Sequence, residues 1–307
     1  MAVTKADKMV IRVLVCVIIA CAAVVWLTAC SPVDEPAVVS PSVDLRLNNA
    51  QEDTTVTIQF TEPQFTMEPM EARTRATLSS SGMTHLDLWL SDGETTTDIH
   101  QTSSDANYGT VTTTLNKTKT YTLYAIAHKA AEACTLTNGI IAYPDDKVKE
   151  SFFYSTTFTP ATTASMNCAM HRITGKFTLQ TTDAVPADVD HFRFTIADTG
   201  IRFNAATAAP DNVIDRQVDF ASISRNNTDG TCSFACQILS TSDAATNFTI
   251  TATAYASDNS IIETKTFENV PIRNNYRTAY TGAFFTSSSL SMTFTADDWQ
   301  DYDATEF

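Results

Sequence analysis

The sequence predicts an all-β protein made of two tandem antiparallel β-sandwich domains. The first observation is that many short segments alternate apolar and polar residues with a period of two, the pattern of half-buried strands. The second is that no long segment carries the apolar stripe of an amphipathic helix. The third is composition, because only 18% of the residues are charged and Thr and Ser fill the polar positions, which favours strands.

The first predicted strand is Thr55–Phe65, with Val56, Ile58 and Phe60 on its buried side. Turn clusters such as Ser91-Asp92-Gly93 separate it and the later strands from one another. The later strands with clear alternation are Leu86–Leu90, Tyr121–Ala127, Phe192–Ile196, Phe248–Ala254 and Leu290–Phe294.

Two pairs of segments resemble each other and occur in the same order. His85–Gly93 is similar to His191–Gly200, and Thr120–His128 is similar to Asn247–Tyr255. Either two related domains follow each other, or amphipathic strands look alike by chance. A chain of 307 residues is long enough for two cores, and the polar stretch near residues 159–165 suits a boundary. We therefore expect an N-terminal domain over 54–165 and a C-terminal domain over 166–307.

Residues 1–29 have the pattern of a signal peptide. A basic leader precedes the apolar run Val13–Trp26, which is too short for a comfortable membrane span but suits a signal-peptide core. Leu27-Thr28-Ala29-Cys30 resembles a bacterial lipobox, in which the cysteine is acylated. We therefore expect a lipoprotein carrying palmitate on Cys30, with residues 30–53 as a tether to the outer membrane. An ordinary signal peptide or a transmembrane anchor is the alternative.

The charge and the absence of catalytic motifs exclude several classes of function. The chain has 20 Lys and Arg against 35 Asp and Glu, a formal net charge of −15, whereas nucleic acids attract basic faces. It has no nucleophile elbow, zinc-protease motif, phosphate-binding loop or Cys-x-x-Cys. We expect no nucleic-acid partner, no enzyme activity, no cofactor and no metal. His85 and His191 occupy equivalent repeat positions, which indicates a structural role, and Asp145-Asp146 and Asp297-Asp298 are expected in solvated turns.

The cysteines and two tryptophans leave further alternatives. Cys232 and Cys236, four apart on one strand, would lie about 13 Å apart, whereas a disulfide needs Cα atoms within about 7 Å. We expect them to be core thiols, while a bridge between Cys134 and Cys168 stays open. Trp89 and Trp299 could stack on sugars, but packing in a core or an interface is favoured for both.

Three segments carry a resemblance to a known family. Phe267–Gly282 contains Val-Pro-Ile-Arg-Asn-Asn-Tyr-Arg-Thr, and Met292–Trp299 ends in Asp-Asp-Trp. Met170–Phe177 begins the second predicted domain with a related pattern. Together with the lipobox, these segments resemble the fimbrillins, the type V pilus subunits of Bacteroides-type fimbriae, and their anchor and tip relatives.

The resemblance implies transthyretin-like, Greek-key sandwiches and a route of assembly. Fimbrillins are exported as lipoproteins and cut by an arginine-specific protease, which releases the first strand so that a strand of another subunit can replace it. The matching strand holds Val56, Ile58 and Phe60, and the matching cut sites are Arg73 and Arg75, of which the Arg75–Ala76 bond is favoured. An anchor subunit would keep its lipid and stay uncut.

The expected function is therefore a structural subunit of a cell-surface fimbrium that supports cell adhesion. Its partners would be other fimbrial subunits, either copies of itself or paralogues. The acidic tail 300–307 would bury little on either face and makes a poor donor strand, so anchor and tip roles stay open beside a stalk role. A surface glycan-binding lipoprotein is the alternative function.

Overall fold

The computed structural model describes residues 53–61, 78, 81–242 and 244–286, together with the backbone of 292–298. This part of the chain is all-β and contains no α-helix, which confirms the predicted class. None of its helical turns is long and apolar enough to cross a membrane.

Except for β6 and β7, the strands that precede residue 173 form two sheets, which we call the first set. Their spatial orders are β4-β1-β9 and β10-β8-β5-β2-β3. The bounds are β1 (Asp53–Thr61), β2 (His85–Ser91), β3 (Thr96–Thr102), β4 (Thr110–Asn116), β5 (Tyr121–His128), β8 (Ser151–Phe158), β9 (Ser165–Ala169) and β10 (His171–Arg172).

The remaining strands, with β6 and β7, form two further sheets, which we call the second set, with orders β14-β11-β17-β18 and β16-β15-β12-β7-β6. A long strand, β13, pairs with β12 along its whole length. The bounds are β6 (Thr135–Thr137), β7 (Ile140–Ala142), β11 (Thr174–Thr181), β12 (His191–Asn204), β13 (Ala209–Phe220), β14 (Ser233–Leu239), β15 (Thr246–Tyr255), β16 (Ile261–Ile272), β17 (Tyr276–Gly282) and β18 (Met292–Asp298).

The internal duplication that the sequence indicates is present in the topology. In the first set, β1 pairs antiparallel with β4 and parallel with β9; in the second set, β11 likewise pairs antiparallel with β14 and parallel with β17. β2 pairs with β3 and β5, and its counterpart β12 pairs in the same way with β13 and β15. The similar segments of the sequence fall on β2 and β12 and on β5 and β15.

Two strand pairs differ from the antiparallel arrangement that the sequence predicts. β1 and β9 run parallel, as do β11 and β17. The partners of each parallel pair are far apart in sequence, so a long crossover can connect them in the same direction. Residue alternation reports which face of a strand is buried and carries no information on strand direction, which is why the sequence did not reveal these pairs.

Each set of sheets has an apolar cluster of its own. The first cluster takes side chains from β1, β4 and β9 on one sheet and from β2, β5 and β8 on the other. The second takes them from β11, β14 and β17 and from β12, β15 and β16, with a group of phenylalanines at its centre. Alternate positions along these strands are buried, as period-two patterning requires.

A third cluster contains residues from both sets of sheets. Trp89 and Phe153 join it from the first set, and Phe203 and Leu239 join it from the second. β7 lies before the predicted boundary at residue 165 but pairs with β12, whereas β9 and β10 pair with strands of the first set. The segment Asn49–Phe307 forms one compact unit, and its division into two tandem domains remains a prediction.

Candidate functional site: the β1 strand and its groove

β1 is the central strand of a three-stranded sheet, and its apolar side is fully enclosed. Val56 and Ile58 are 0% exposed and Phe60 is 2% exposed, and all three lie in the first apolar cluster. The residues between them are exposed or half-buried because successive side chains of a strand point to opposite faces. We call the surface of β4, β9 and the first cluster that covers β1 the β1 groove.

Backbone pairing holds β1 on both edges. It pairs with β4 from Asp53 to Gln59 and with β9 from Thr57 to Thr61. Beyond the ladders, the N–H of Phe60 donates to the carbonyl of Gly109 at 2.8 Å. A strand that replaced β1 would therefore have to run antiparallel to β4 and parallel to β9.

Two residues that the sequence did not single out close one end of this groove. Leu78 is 1% exposed and belongs to the first cluster. Gly109 has φ +85°, and a Cβ placed on it would lie 3.0 Å from the Cβ of Leu78. Glycine therefore meets both the backbone conformation and the close approach. The only signal in the sequence was the Tyr108-Gly109 turn before β4.

Several predicted site residues lie outside the described part of the chain. These are the lipid-attachment residue Cys30, the cut sites Arg73 and Arg75, and Trp299. The signal peptide 1–29 and the tether up to residue 52 lie outside it as well. The described β1 begins at Asp53, two residues before the predicted start, and residues 62–65 of the predicted strand are not described.

Two of the three segments of the family resemblance, Met170–Phe177 and Phe267–Gly282, lie side by side. Lys176 of β11 pairs with Arg277 of β17 in the parallel ladder, and the N–H of Asn275 donates to the carbonyl of Thr174 at 3.0 Å. A Cβ on Gly175 would lie 2.5 Å from the carbonyl oxygen of Arg273. β11 and β17 therefore form the parallel pair that covers the second cluster, and Gly175 permits the close approach of β11 to Arg273.

The described cysteines are free thiols in buried positions. Cys232 and Cys236 lie in the second cluster, which confirms their prediction as core thiols. Cys134 and Cys168 do not form the bridge that the sequence left open. Burial raises the pKa of Cys236 to about 11 and that of Cys168 to about 11, so neither is an activated thiolate.

Trp89 is 4% exposed and belongs to the third cluster, whereas Leu86, Leu88 and Leu90 of the same strand belong to the first. The prediction that Trp89 packs in a core or an interface is confirmed. A buried indole offers no face to a sugar ring.

The two acidic pairs have different surroundings. Asp145 and Asp146 lie in a 3-10 turn, where Asp146 forms an ion pair with Arg202 at 3.0 Å. Asp297 and Asp298 instead belong to β18, so their prediction as a turn is wrong. β18 pairs antiparallel with β17 up to Asp298, and this pairing extends the strand through the acidic residues.

A cluster of polar side chains is buried beside β2. Asp87, 3% exposed, accepts from His128 Nε2 at 2.7 Å, from His100 Nδ1 at 2.5 Å and from the Cys134 N–H at 2.6 Å. Burial raises the pKa of Asp87, but the bond from His128 and the other donors outweigh it, so the pKa lies below its usual value. Asp87 is thus a carboxylate that joins β2, β3, β5 and the segment before β6.

The donor atoms of Asp87, His128 and Cys134 lie within 4.8 Å of one another, as in a metal site. The hydrogen bonds do not suit an ion. The N–H of Ala130 donates to His128 Nδ1 at 3.1 Å, so the neutral ring carries its proton on Nε2 and donates it to Asp87. Nε2 then has no lone pair for a metal. Burial, and then the charge of Asp87, raise the pKa of the Cys134 thiol well above its usual range.

Comparisons with solved structures show the fold. A crystal structure of candidate polysaccharide-binding proteins (DUF1812) from Bacteroides thetaiotaomicron matches with a TM-score of 0.52 at 12% identity, over 80% of this chain and 96% of that chain. A candidate adhesin from the same organism matches with a TM-score of 0.47 at 12% identity, over 80% and 96%. The fimbrial anchor protein Mfa2 from Porphyromonas gingivalis matches with a TM-score of 0.44 at 9% identity, over 80% and 97%.

Sequence comparisons identify the family. No curated protein matches the chain. A family model matches residues 48–304, which include every described strand. The chain belongs to this family, described as a family of unknown function (DUF6562).

Proposed function

We propose that the protein is a structural subunit of a surface fimbria, assembles by strand exchange and supports cell adhesion. The observation that carries the proposal is the position of β1, a central strand whose apolar side is fully buried. The segment that follows β1 contains Arg73 and Arg75 in a polar stretch of sequence. A single cut there would separate the strand from the rest of the fold.

After a cut at Arg75, only non-covalent contacts would hold β1. These are the two backbone ladders and the burial of Val56, Ile58 and Phe60. Departure of β1 would leave unpaired backbone groups on the facing edges of β4 and β9 and an open apolar groove between them. Such a groove is a template for an added strand, because backbone hydrogen bonds give affinity and alternate side chains give register.

The groove defines the chemistry of the incoming strand. It must present apolar side chains at three alternate positions, matching Val56, Ile58 and Phe60. The residues between these positions can be polar, as the half-buried Thr57 and the exposed Gln59 are in β1. In this proposal another fimbrial subunit, either a copy of this chain or a paralogue, supplies that strand.

The remaining parts of the proposal concern location. The subunit reaches the outer membrane as a lipoprotein through Cys30 and is exposed at the cell surface, where an arginine-specific protease acts on the segment 62–77. The two sets of sheets act as tandem sandwich domains, the first bearing the β1 groove. An uncut molecule that keeps its lipid would serve as an anchor.

The alternative, a surface glycan-binding lipoprotein, loses one of its two candidate platforms because Trp89 is buried. Trp299 remains. Glycan-array binding by the exported protein that is abolished in Trp299→Ala would support this alternative. Binding that is absent, or unchanged in the variant, would remove the second platform as well.

The proposed function is tested by the N-terminus of the surface-exposed protein. The full precursor is expressed in a lipoprotein-exporting host with an arginine-specific protease, and the surface species is sequenced. Strand exchange predicts a start at Ala76, or at Thr74 after cutting at Arg73, and SDS-resistant ladders of subunits. The matched control is the double variant Arg73→Gln/Arg75→Gln, which should keep its lipid and form no ladders. A surface protein that begins only at Cys30, without filaments, would overturn the stalk role.

A further inference from the structure

Three imidazole rings stack in one row across neighbouring strands of the first set of sheets. His85 of β2 lies between His100 of β3 and His128 of β5. Its ring centroid is 5.3 Å from that of His100 and 5.2 Å from that of His128. The ring planes of His85 and His128 are nearly parallel, with an interplanar angle of 5°. We propose that His85, His100 and His128, arranged around Asp87, form an acid-sensitive element that weakens the folded state when the surroundings acidify.

With neutral rings the site is hydrogen-bonded throughout. Asp87 accepts from His128 and His100, while the ring of His85 contacts the hydroxyl of Thr84 at 3.0 Å. In the described part of the chain, Asp87 is the carboxylate bonded to His100 and His128. One negative charge is therefore available to compensate protons added to three imidazoles.

The effect of added protons follows from this geometry. His100 Nδ1 and His128 Nε2 each contact one oxygen of Asp87, so both carboxylate oxygens are already hydrogen-bonded. A proton on His85 would therefore place a cation one stacking distance from two other imidazoles without a direct counter-charge. Like charges at this distance disfavour the charged form. Burial, followed by His128 and His100, lowers the pKa of His85 from 6.5, and Asp87 only partly opposes this.

Other titratable groups packed against the cluster do not supply a second counter-charge. The Cys134 thiol and the Tyr108 hydroxyl have raised pKa values, through burial and then Asp87, and stay neutral. The ring of Tyr143 meets His128 edge-on at 6.3 Å, and burial raises the pKa of its hydroxyl too. Beyond the end of β5, the carboxylate of Glu150 is occupied by Arg172 and by Lys129.

The cluster of His85, His100, His128 and Asp87 lies beside two connections between segments of the chain, which repulsion among the rings would strain. Thr84 donates to the carbonyl of His128 through both its N–H and its hydroxyl, which fixes the start of β2 against the end of β5. The Cys134 N–H bond to Asp87 fixes the segment that leads to β6. Repulsion among the rings would loosen both connections.

The second set of sheets provides a natural control. His191 occupies the position of His85 and stacks on Tyr255, the counterpart of His128, at 4.9 Å and 9°. Arg193 takes the place of Asp87 and forms an ion pair with Asp219. The stack is therefore kept in the second set with a single imidazole, and we expect no comparable acid sensitivity there.

The sign of the effect follows from linkage. Below the ordinary pKa of 6.5, the unfolded chain binds a proton at His85 that the folded protein binds less well. The stability contributed by neutral His85 is present above that pH and is lost as the pH falls from 6.5 toward the lowered value. The folding equilibrium constant decreases by about tenfold for each unit by which the pKa is lowered.

The test is urea unfolding of the full protein at about pH 7.5 and about pH 5, which lie on either side of the ordinary pKa of histidine. His85→Phe keeps a ring in the stack and removes its titration, and His191→Phe is the matched control. We expect His85→Phe to lose distinctly less stability in acid than the wild type, and His191→Phe to behave like the wild type. Equal acid sensitivity in all three proteins would overturn the proposal.

A second measurement covers the case in which His85→Phe does not fold. The imidazole resonances of the wild-type protein are titrated by NMR and assigned with His85→Gln. The proposal requires the pKa of His85 to lie below its ordinary value of 6.5. A pKa of 6.5 or higher would refute it without reference to any variant's stability.

Discussion

Phe60 and Cys168 lie opposite each other in the parallel pair of β1 and β9, and both side chains are buried. Cys168 is 0% exposed while β1 is in place. Its thiol is therefore a reporter of whether β1 is present, independent of filament formation.

We expect release of β1 to make Cys168 reactive toward a thiol reagent. Proteolysis of the full protein with an arginine-specific protease, followed by alkylation and peptide mass spectrometry, measures this directly. Cys236, buried in the second cluster, is the internal control and should stay unlabelled. Labelling of Cys236 together with Cys168 would indicate general unfolding, and an unlabelled Cys168 after cutting would mean that β1 stays bound.

Truncating the centre of β1 should destabilise the protein strongly. Ile58 is fully buried, so Ile58→Ala removes apolar contacts and leaves a cavity, at a cost of about 2–5 kcal/mol. Gln59→Ala, on the exposed side of the same strand, should cost less than about 0.5 kcal/mol. Urea unfolding of both variants measures the difference. Similar losses of unfolding free energy in the two variants would contradict the proposal that the groove stabilises β1 through its buried side chains.

Gly175 should tolerate no side chain. A Cβ at this position would lie 2.5 Å from the carbonyl oxygen of Arg273 and 2.7 Å from Ile272 Cγ2, so β11 and the segment before β17 would have to separate. We expect Gly175→Ala to lower thermal stability by several degrees, or to prevent soluble expression. Gly139→Ala is the control, because open space surrounds Gly139 and only its φ of +78° is unfavourable. A thermal melt of Gly175→Ala that matches the wild type would rule out this close approach.

Asp183 should make the second set of sheets sensitive to strong acid. Its carboxylate accepts from the N–H groups of Phe284, Phe285 and Thr286 at 2.7–2.8 Å. Burial raises the pKa of Asp183, but these bonds outweigh it and the pKa lies below 3.8. The stability it contributes is present above pH 3.8 and is lost as the pH falls toward the lowered value.

The variant Asp183→Asn tests this contribution. It should be about 1–3 kcal/mol less stable at neutral pH, because charge-assisted acceptors are lost. Its stability should also fall less steeply in strong acid than that of the wild type. Asp258→Asn is the control, since Asp258 accepts only within its own turn, from Ser260. The same acid slope for the wild type and Asp183→Asn would show that this carboxylate does not contribute.

Much of the fold could be predicted because strand burial follows local alternation. Val56, Ile58 and Phe60 were assigned to the buried side of their strand, and Trp89 to the side opposite the leucines, and the structure agrees. The sequence similarity that indicated duplication also corresponds to equivalent strands, because β2 and β12 both begin with a histidine and alternate apolar and polar residues in the same way. The sequence did not reveal the parallel pairs or the extension of β18 to Asp298, since strand direction and the choice of partner depend on residues far away in the chain.

The histidine cluster shows the same limit at a single site. The five histidines are scattered in the sequence, and no spacing between 85, 87, 100, 128 and 134 indicates that these residues meet. Their contact arises because β3, β2 and β5 are neighbours in the sheet and because the chain after β5 returns to Asp87.

The sequence by itself determined the all-β class, the buried faces of β1 and β2 and the core role of Cys232 and Cys236. It could do so because burial of alternate residues is a local property of a strand. The tertiary structure alone decided that β1 is central, that Cys168 faces Phe60 and that one carboxylate accepts hydrogen bonds from two imidazoles. Those relationships depend on which strands become neighbours, a choice made by the packing of the whole chain.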